Sequence, residues 1–354
     1  MSAYIAELRR ELVDAAERER RRSAPRRALA RSRRPLALGL ASAAVVLAAV
    51  LGIAVLGRNA PEPVPAAPRI VATIRVGGQP LDGTIGAGSV WIADGTGRVL
   101  RVDPRSRRVV ARIPAGSQVT AIAASGDAVW AVTSIRLNVH GHQVVGIDPT
   151  SDRVVTHVLP TAAFGRLLEV AGGTVWVQSD MQAGGPLQRV DKRKDRIVGD
   201  FGRSWRSAIA GQGDVLWTLD VNGVLERRDA ATGRLLARRP GFAAGQAPTA
   251  IAPAGRGAWV ATGEDGAVTR VTDDLKVRDR VELGARGPMA VTDGSLWVTT
   301  VDAKGINVEL VRLDPGTGQV LGRLRLGARL PRALVAVGDE VWAVIGDGTV
   351  LVIR

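Results

Sequence analysis

The chain contains three histidines (His140, His142 and His157) and no cysteine. Without cysteine there is no disulfide framework, no thiolate metal site and no cysteine nucleophile. Proton abstraction needs a group of suitable pKa within reach of the proton, so the histidines come first. His140 and His142 stand two apart in the segment SIRLNVHGH, where an extended backbone turns both imidazoles to one side. The nearest acid in sequence, Asp148, belongs to a turn, so the pair reads as solvated loop residues. No metal and no cofactor are expected. His157 lies in the alternating run VVTHVL and reads as a surface residue. No Gly-x-Ser-x-Gly elbow, phosphate-binding Gly-x-x-x-x-Gly-Lys, His-Glu-x-x-His pair or acidic calcium loop occurs.

The elements that must position these residues are announced by tryptophan. Seven of the eight tryptophans (Trp91, Trp130, Trp176, Trp217, Trp259, Trp297 and Trp342) follow a Gly-containing turn and a small or aliphatic residue, at intervals of 39, 46, 41, 42, 38 and 45 residues. Each interval holds four short alternating runs, such as SAIAG, DVLWTL, GVLERRD and GRLLARR, separated by turns rich in Gly, Asp and Pro. Alternation of this kind predicts antiparallel strands joined by hairpins. A four-stranded unit of about 40 residues repeated seven times predicts an all-β, seven-bladed β-propeller over 69–354. The last unit supplies only three strands, and IVATIRV (70–76) resembles a fourth. The N-terminal strand is therefore expected to close the last blade and remove its open edge. The seven tryptophans are read as structural, filling the space between blades. The innermost strands carry few acids in or beside them (Asp82, Glu169 and Asp293), which argues against an active site in the central channel.

The N-terminal part is different in kind. Residues 1–35 hold eleven arginines against five acids, with a short amphipathic helix predicted over 3–17. Leu36 to Gly57 is a run of 22 residues without a charge, about 33 Å as a helix, enough to cross a bilayer. The arginines before it and their scarcity after it predict a single-pass membrane protein with the N-terminus in the cytoplasm and the propeller outside. Residues 58–68 read as a Pro-rich linker. The formal net charge is +14, but the excess is nearly all arginine in a chain rich in Ala and Gly, a mark of coding bias; no nucleic-acid partner is expected.

A binding surface is expected where the loops after the second and fourth strands open on one face. The first set has long inserts at 134–142, 179–186 and 301–307, the first of which carries Arg136, His140 and His142. The second set is expected to carry the remaining aromatics of the propeller, Phe164, Phe201, Trp205 and Phe242, with Arg166, Arg203, Arg206, Arg286, Arg329 and Arg332. Aromatic and arginine side chains commonly anchor interfaces. A protein, or an anionic or glycan-like envelope ligand, is the expected partner.

The repeated unit G-x-V-W-V … G-x-V-x-R-x-D-P-x-T-G-x-V-x-A-x-I resembles the YVTN-type bacterial propellers and the related streptogramin lyase (virginiamycin B lyase) family over 69–354. The second resemblance implies a Mg²⁺-dependent ring-opening elimination with a histidine base and a nearby acid, and no position here matches that histidine and glutamate. The reading is therefore a membrane-anchored binding or scaffold module with no catalytic residue assigned. The alternatives are a lyase of that type, or a sensor that recruits a cytoplasmic regulator through residues 1–35.

Overall fold

Apolar–polar alternation, interrupted every few residues by a turn, gives twenty-eight short strands among the described residues, grouped as seven four-stranded antiparallel sheets. The computed structural model describes residues 66–354 except 127, 135–141, 159–166, 179–183, 192–195, 243–249, 263–265 and 303. The expected cytoplasmic segment, the membrane span at 36–57 and most of the linker lie outside the described residues. Among the described residues, no helix is long and apolar enough to cross a membrane.

The innermost strands of blades one to seven are Pro80–Gly86, Gln118–Ser125, Leu167–Ala171, Arg206–Gln212, Ala250–Ala254, Ala285–Thr292 and Pro331–Val337. Each touches the innermost strand of the next blade, and that of blade seven touches that of blade one, so the sheets form a closed ring. In six blades the chain runs outward through four consecutive strands. Blade seven is composite: Thr349–Ile353 pairs on its outer side with Ile70–Arg75, in the register Thr73 with Leu351 and Ile74 with Val350. The bonds Arg69 N–H to Arg354 O (3.0 Å) and Arg354 N–H to Arg69 O (3.1 Å) finish that seam. The ring is thus closed by backbone pairing as well as by side-chain packing.

Six of the repeating tryptophans are fully buried and Trp130 is nearly so. Each packs into the core of the blade that follows. Trp91 lies with Ile122, Val129 and Ile147 of blade two, Trp176 with Leu216 and Ala230 of blade four, and Trp342 with Val90, Ile92 and Leu100 of blade one. Several indoles also hydrogen-bond: Trp176 Nε1 donates to Ala230 O (3.1 Å) and Trp259 Nε1 to Pro315 O (3.1 Å), both carbonyls of the next blade. The slot recurs because a wedge-shaped gap between neighbouring sheets needs one large flat group per seam.

A second device joins the blades. The residue paired across from the tryptophan on the third strand is often arginine: Arg101, Arg189, Arg227, Arg270 and Arg312. Arg101, Arg227 and Arg312 stack over Trp91, Trp217 and Trp297 at 5.4–5.8 Å from the ring centroid. Four of the five reach a turn of the next blade. Arg101 bonds Pro149 O (2.8 Å) and pairs with Asp152 (3.1 Å), Arg227 bonds Asp273 O (2.8 Å), and Arg189 and Arg270 bond Ala231 O and Gly316 O. Those turns are pinned by aspartates. Asp314 accepts the N–H groups of Gly316 and Thr317, and Asp229 accepts the N–H and hydroxyl of Thr232. Gly233 (φ 78°) ends one of them; a Cβ there would strike the ring of Phe201, so the site needs glycine for space and for backbone.

Candidate functional site

The innermost strands enclose a cavity of about 380 Å³ on the ring axis, lined by residues of all seven blades. Five of these strands break register near their starts, at Pro80/Asp82, Val119/Ala121, Arg206/Ala208, Ala285/Met289 and Pro331/Ala333. A bulge leaves a residue unpaired and re-aims its side chain. Leu81, Thr120, Ser207, Pro288 and Arg332, all within these irregular stretches, face the cavity. The rest of the wall is mostly apolar, with Ile122, Leu168, Ile209, Ile251, Met289 and Leu334.

Two carboxylates share this space. Asp82 of blade one accepts Gly83 N–H (2.8 Å) and, across the seam, Ile122 N–H of blade two (3.0 Å). Glu169 of blade three accepts Val170 N–H (2.9 Å) and, across the next seam but one, Gly211 N–H of blade four. Each carboxylate therefore satisfies an N–H of the following inner strand that its own sheet leaves unpaired. Burial raises Asp82 from 3.8 to about 6 against the lowering effect of those two donors. Glu169 rises from 4.5 to about 7, again chiefly by burial, with the charge of Asp82 adding to the rise. Near neutral pH the channel holds two acids that titrate there, with Arg332 the remaining ionisable residue of its lining. The channel is as poor in ionisable groups as the sequence suggests. What the sequence reading missed is that two of the three acids it noticed meet in one cavity. The third, Asp293, is exposed in a hairpin turn away from the channel.

The residues expected to form a binding face are scattered in role. Arg136, His140, Phe164 and Arg166 lie outside the described residues. His142 begins the third strand of blade two, its Nε2 3.2 Å from Ser134 Oγ. Phe201 was expected in a loop. The fourth strand of blade three runs on through Arg196–Arg203, and Phe201 lies within it, edge-on to Trp176 with centroids 5.0 Å apart. Arg206 is buried, bonding Gln178 Oε1 (3.1 Å) and Phe201 O (3.1 Å), and burial lowers it to about 10. Phe242 is half-buried beneath Arg239, 5.8 Å from the ring centroid. Trp205 (45% exposed), Arg203, Arg286, Arg329 and Arg332 are exposed. These five sit where fourth strands hand over to inner strands, which places them at one end of the ring, with Arg332 at the channel itself.

The arginine latches were also missed, although the sequence carries their signal: an arginine two residues before the residue that opens the turn, as in Arg101-Val-Asp103, Arg189-Val-Asp191, Arg227-Arg-Asp229 and Arg270-Val-Thr272.

No family model matches the chain, and no curated protein matches it either. Many solved structures share its fold. One is the β-propeller domain of Cps50 (Swd1) from Myceliophteria thermophila, with a TM-score of 0.66 and 14% sequence identity, covering 81% of this chain and 99% of that one. At that identity the likeness concerns architecture: the chain carries a seven-bladed β-propeller, a fold commonly used as a scaffold or binding module.

Proposed function

We propose that the protein is a membrane-anchored binding module that displays its propeller outside the cytoplasm and takes an anionic or glycan-like envelope ligand at the end of the ring where Trp205, Arg203, Arg286 and Arg332 stand. The observation that carries this reading is an exposed indole, Trp205, at the same end of the ring as the exposed Arg203, Arg286 and Arg332, the last of which lines the axial cavity that residues of every blade enclose. An indole supplies a flat apolar platform and arginine a planar donor fork, the combination suited to sugar rings bearing carboxylate or phosphate. The anchor rests on the uncharged run 36–57 and the arginines before it. Titrating the full chain in neutral detergent with acidic oligosaccharides tests the ligand class. Saturable binding that Trp205→Ala and Arg332→Ala each weaken is expected, and no binding by any of them refutes it. Protease digestion of intact spheroplasts tests the placement: the propeller should be cleaved while the N-terminal 35 residues are protected.

A second reading has one observation in its favour. Two carboxylates titrating near 6 and 7 in a cavity are the groups a general acid and base require. The repeat's resemblance to the streptogramin lyases would then extend to elimination chemistry. The magnesium ion of that family does not fit here. No group of three or more His, Asp or Glu suited to a metal exists among the described residues, and the oxygens of both acids already accept backbone N–H groups. Turnover of a cyclic depsipeptide, abolished by Glu169→Gln and insensitive to EDTA, is what this reading requires.

A further inference from the structure

Where the composite seventh blade meets blade one, the outer strands Ile70–Arg75 and Arg108–Pro114 diverge and leave a surface groove of about 510 Å³. Four arginines line it: Arg75, Arg107, Arg108 and Arg112, with Thr73 beside them. Arginine is plentiful on this protein, so the test of significance is what accompanies it. Three other grooves contain arginine, and each contains a carboxylate too. Arg256 pairs with Asp273 at 3.4 Å, Arg325 pairs with Glu309 at 3.3 Å, and Arg189 shares its groove with Asp191. The groove beside the closing strand is lined by no acid.

Its four cations are not equivalent. Arg107 is spoken for by Glu340, at 2.8 Å, and the same carboxylate is also 3.5 Å from Arg354. Arg112 donates to Val76 O at 3.3 Å across the seam and makes no ion pair among the described residues. Arg75 and Arg108 are exposed and make no ion pair among the described residues. Three guanidinium groups without an ion pair among the described residues, one of them held by a backbone carbonyl, surround one concave surface and suit an oxyanion with several acceptor oxygens. A single carboxylate would meet one fork; a phosphoryl group offers three oxygens in a tetrahedral array.

We propose that this groove binds a phosphoryl group, carried either by an anionic lipid headgroup or by a soluble phosphorylated ligand. It is a different surface from the ring end assigned above, and it does not depend on that assignment. The strand that carries Arg75 begins thirteen residues after the uncharged run ends, a tether of about 45 Å at full extension, so both sources are within reach if that run is the anchor.

The experiment uses the full chain in neutral-detergent micelles, with inorganic pyrophosphate as the soluble probe followed by calorimetry. Mixed micelles containing phosphatidylglycerol or phosphatidylcholine are the lipid probe, followed by amide hydrogen exchange of residues 70–75 and 107–112. The variant is Arg75→Ala with Arg108→Ala, which leaves Arg107 and Arg112 and their bonds intact. Pyrophosphate binding that weakens about tenfold or more in the variant and with rising salt supports the site, as does slowed exchange with phosphatidylglycerol but not phosphatidylcholine. Which arm responds identifies the source of the phosphoryl group. Absence of a response in both arms overturns the proposal. So does equal binding by the variant when its melting temperature matches that of the parent chain. An acidic oligosaccharide titration run in parallel separates the two surfaces, because Arg75→Ala with Arg108→Ala should leave it unchanged.

Discussion

Replacing Glu169 by Gln should change how stability depends on pH, and the structure sets the size of the change. In the folded chain this carboxyl keeps its proton up to about pH 7, whereas its ordinary value is 4.5. Between those values the folded state binds more protons than the unfolded state, so stability falls as pH rises through the window and levels off above it. The rise from 4.5 to about 7 corresponds to about 3 kcal/mol. Glu169 is only half-buried, facing a cavity rather than solid core, so screening reduces this to about 1–3 kcal/mol. Gln keeps the shape and one acceptor oxygen for the Val170 N–H and has no proton to lose. Whatever the exchange costs in hydrogen bonding is the same at every pH. The variant should therefore gain on the parent chain by about 1–3 kcal/mol between pH 4.5 and pH 8, or about 2–6 °C in melting temperature. Asp82 titrates in both proteins and so largely cancels in the comparison. Intrinsic tryptophan fluorescence is the natural assay, since seven indoles report on seven seams. A gap between variant and parent that is equal at both pH values would refute the coupling of this carboxyl to its buried setting.

Trp176→Ala should cost about 3–5 kcal/mol, because it empties a fully buried seam and strands the Ala230 carbonyl, while Trp205→Ala should change stability by no more than about 0.5 kcal/mol; urea melts compare the two. Deleting residues 1–75 removes the strand that covers Thr349–Ile353 and should produce concentration-dependent self-association in light scattering, whereas deleting 1–64 should not. On the acid side the sign is opposite. Hydrogen bonds from Ser106, Thr232 and Thr317 hold Asp103, Asp229 and Asp314 below the usual carboxylate range, and Lys276 with Thr272 holds Asp274 at about 2. Their contribution is present above about pH 4 and is lost as pH falls below it, so melting temperature should drop between pH 4 and pH 2, and less steeply in Asp274→Asn.

The number of blades, the order of strands within each and the identity of the closing strand are legible in the amino-acid sequence. Those features are local and repeated: an alternating run, a turn with Gly or Asp, and one indole per unit recur seven times, so each unit corroborates the others. Ile70–Val76 could be matched to the last blade because it has the pattern of a fourth strand and the last unit has only three. The arginine latches were equally written in the repeat, as arginine two residues before the turn residue, although their reach into the next blade is visible only in three dimensions.

What lines the axis follows from ring closure and is not legible in the sequence. Asp82 and Glu169 belong to different repeats and sit at different registers, Asp82 beside a bulge and Glu169 opposite Trp176. No periodicity links them; they share a cavity because ring closure brings every inner strand to one axis. Their raised pKa values follow from that enclosure, which removes water from the charged forms. The same holds for Arg206 and Phe201, whose residue types suggested an exposed anchor. The strand Arg196–Arg203 carries Phe201 to the edge of Trp176, and Arg206, which opens the next inner strand, is buried against Gln178 and the Phe201 carbonyl. Residue type and spacing state what a side chain is capable of, and the closure of the ring decides which neighbours it has.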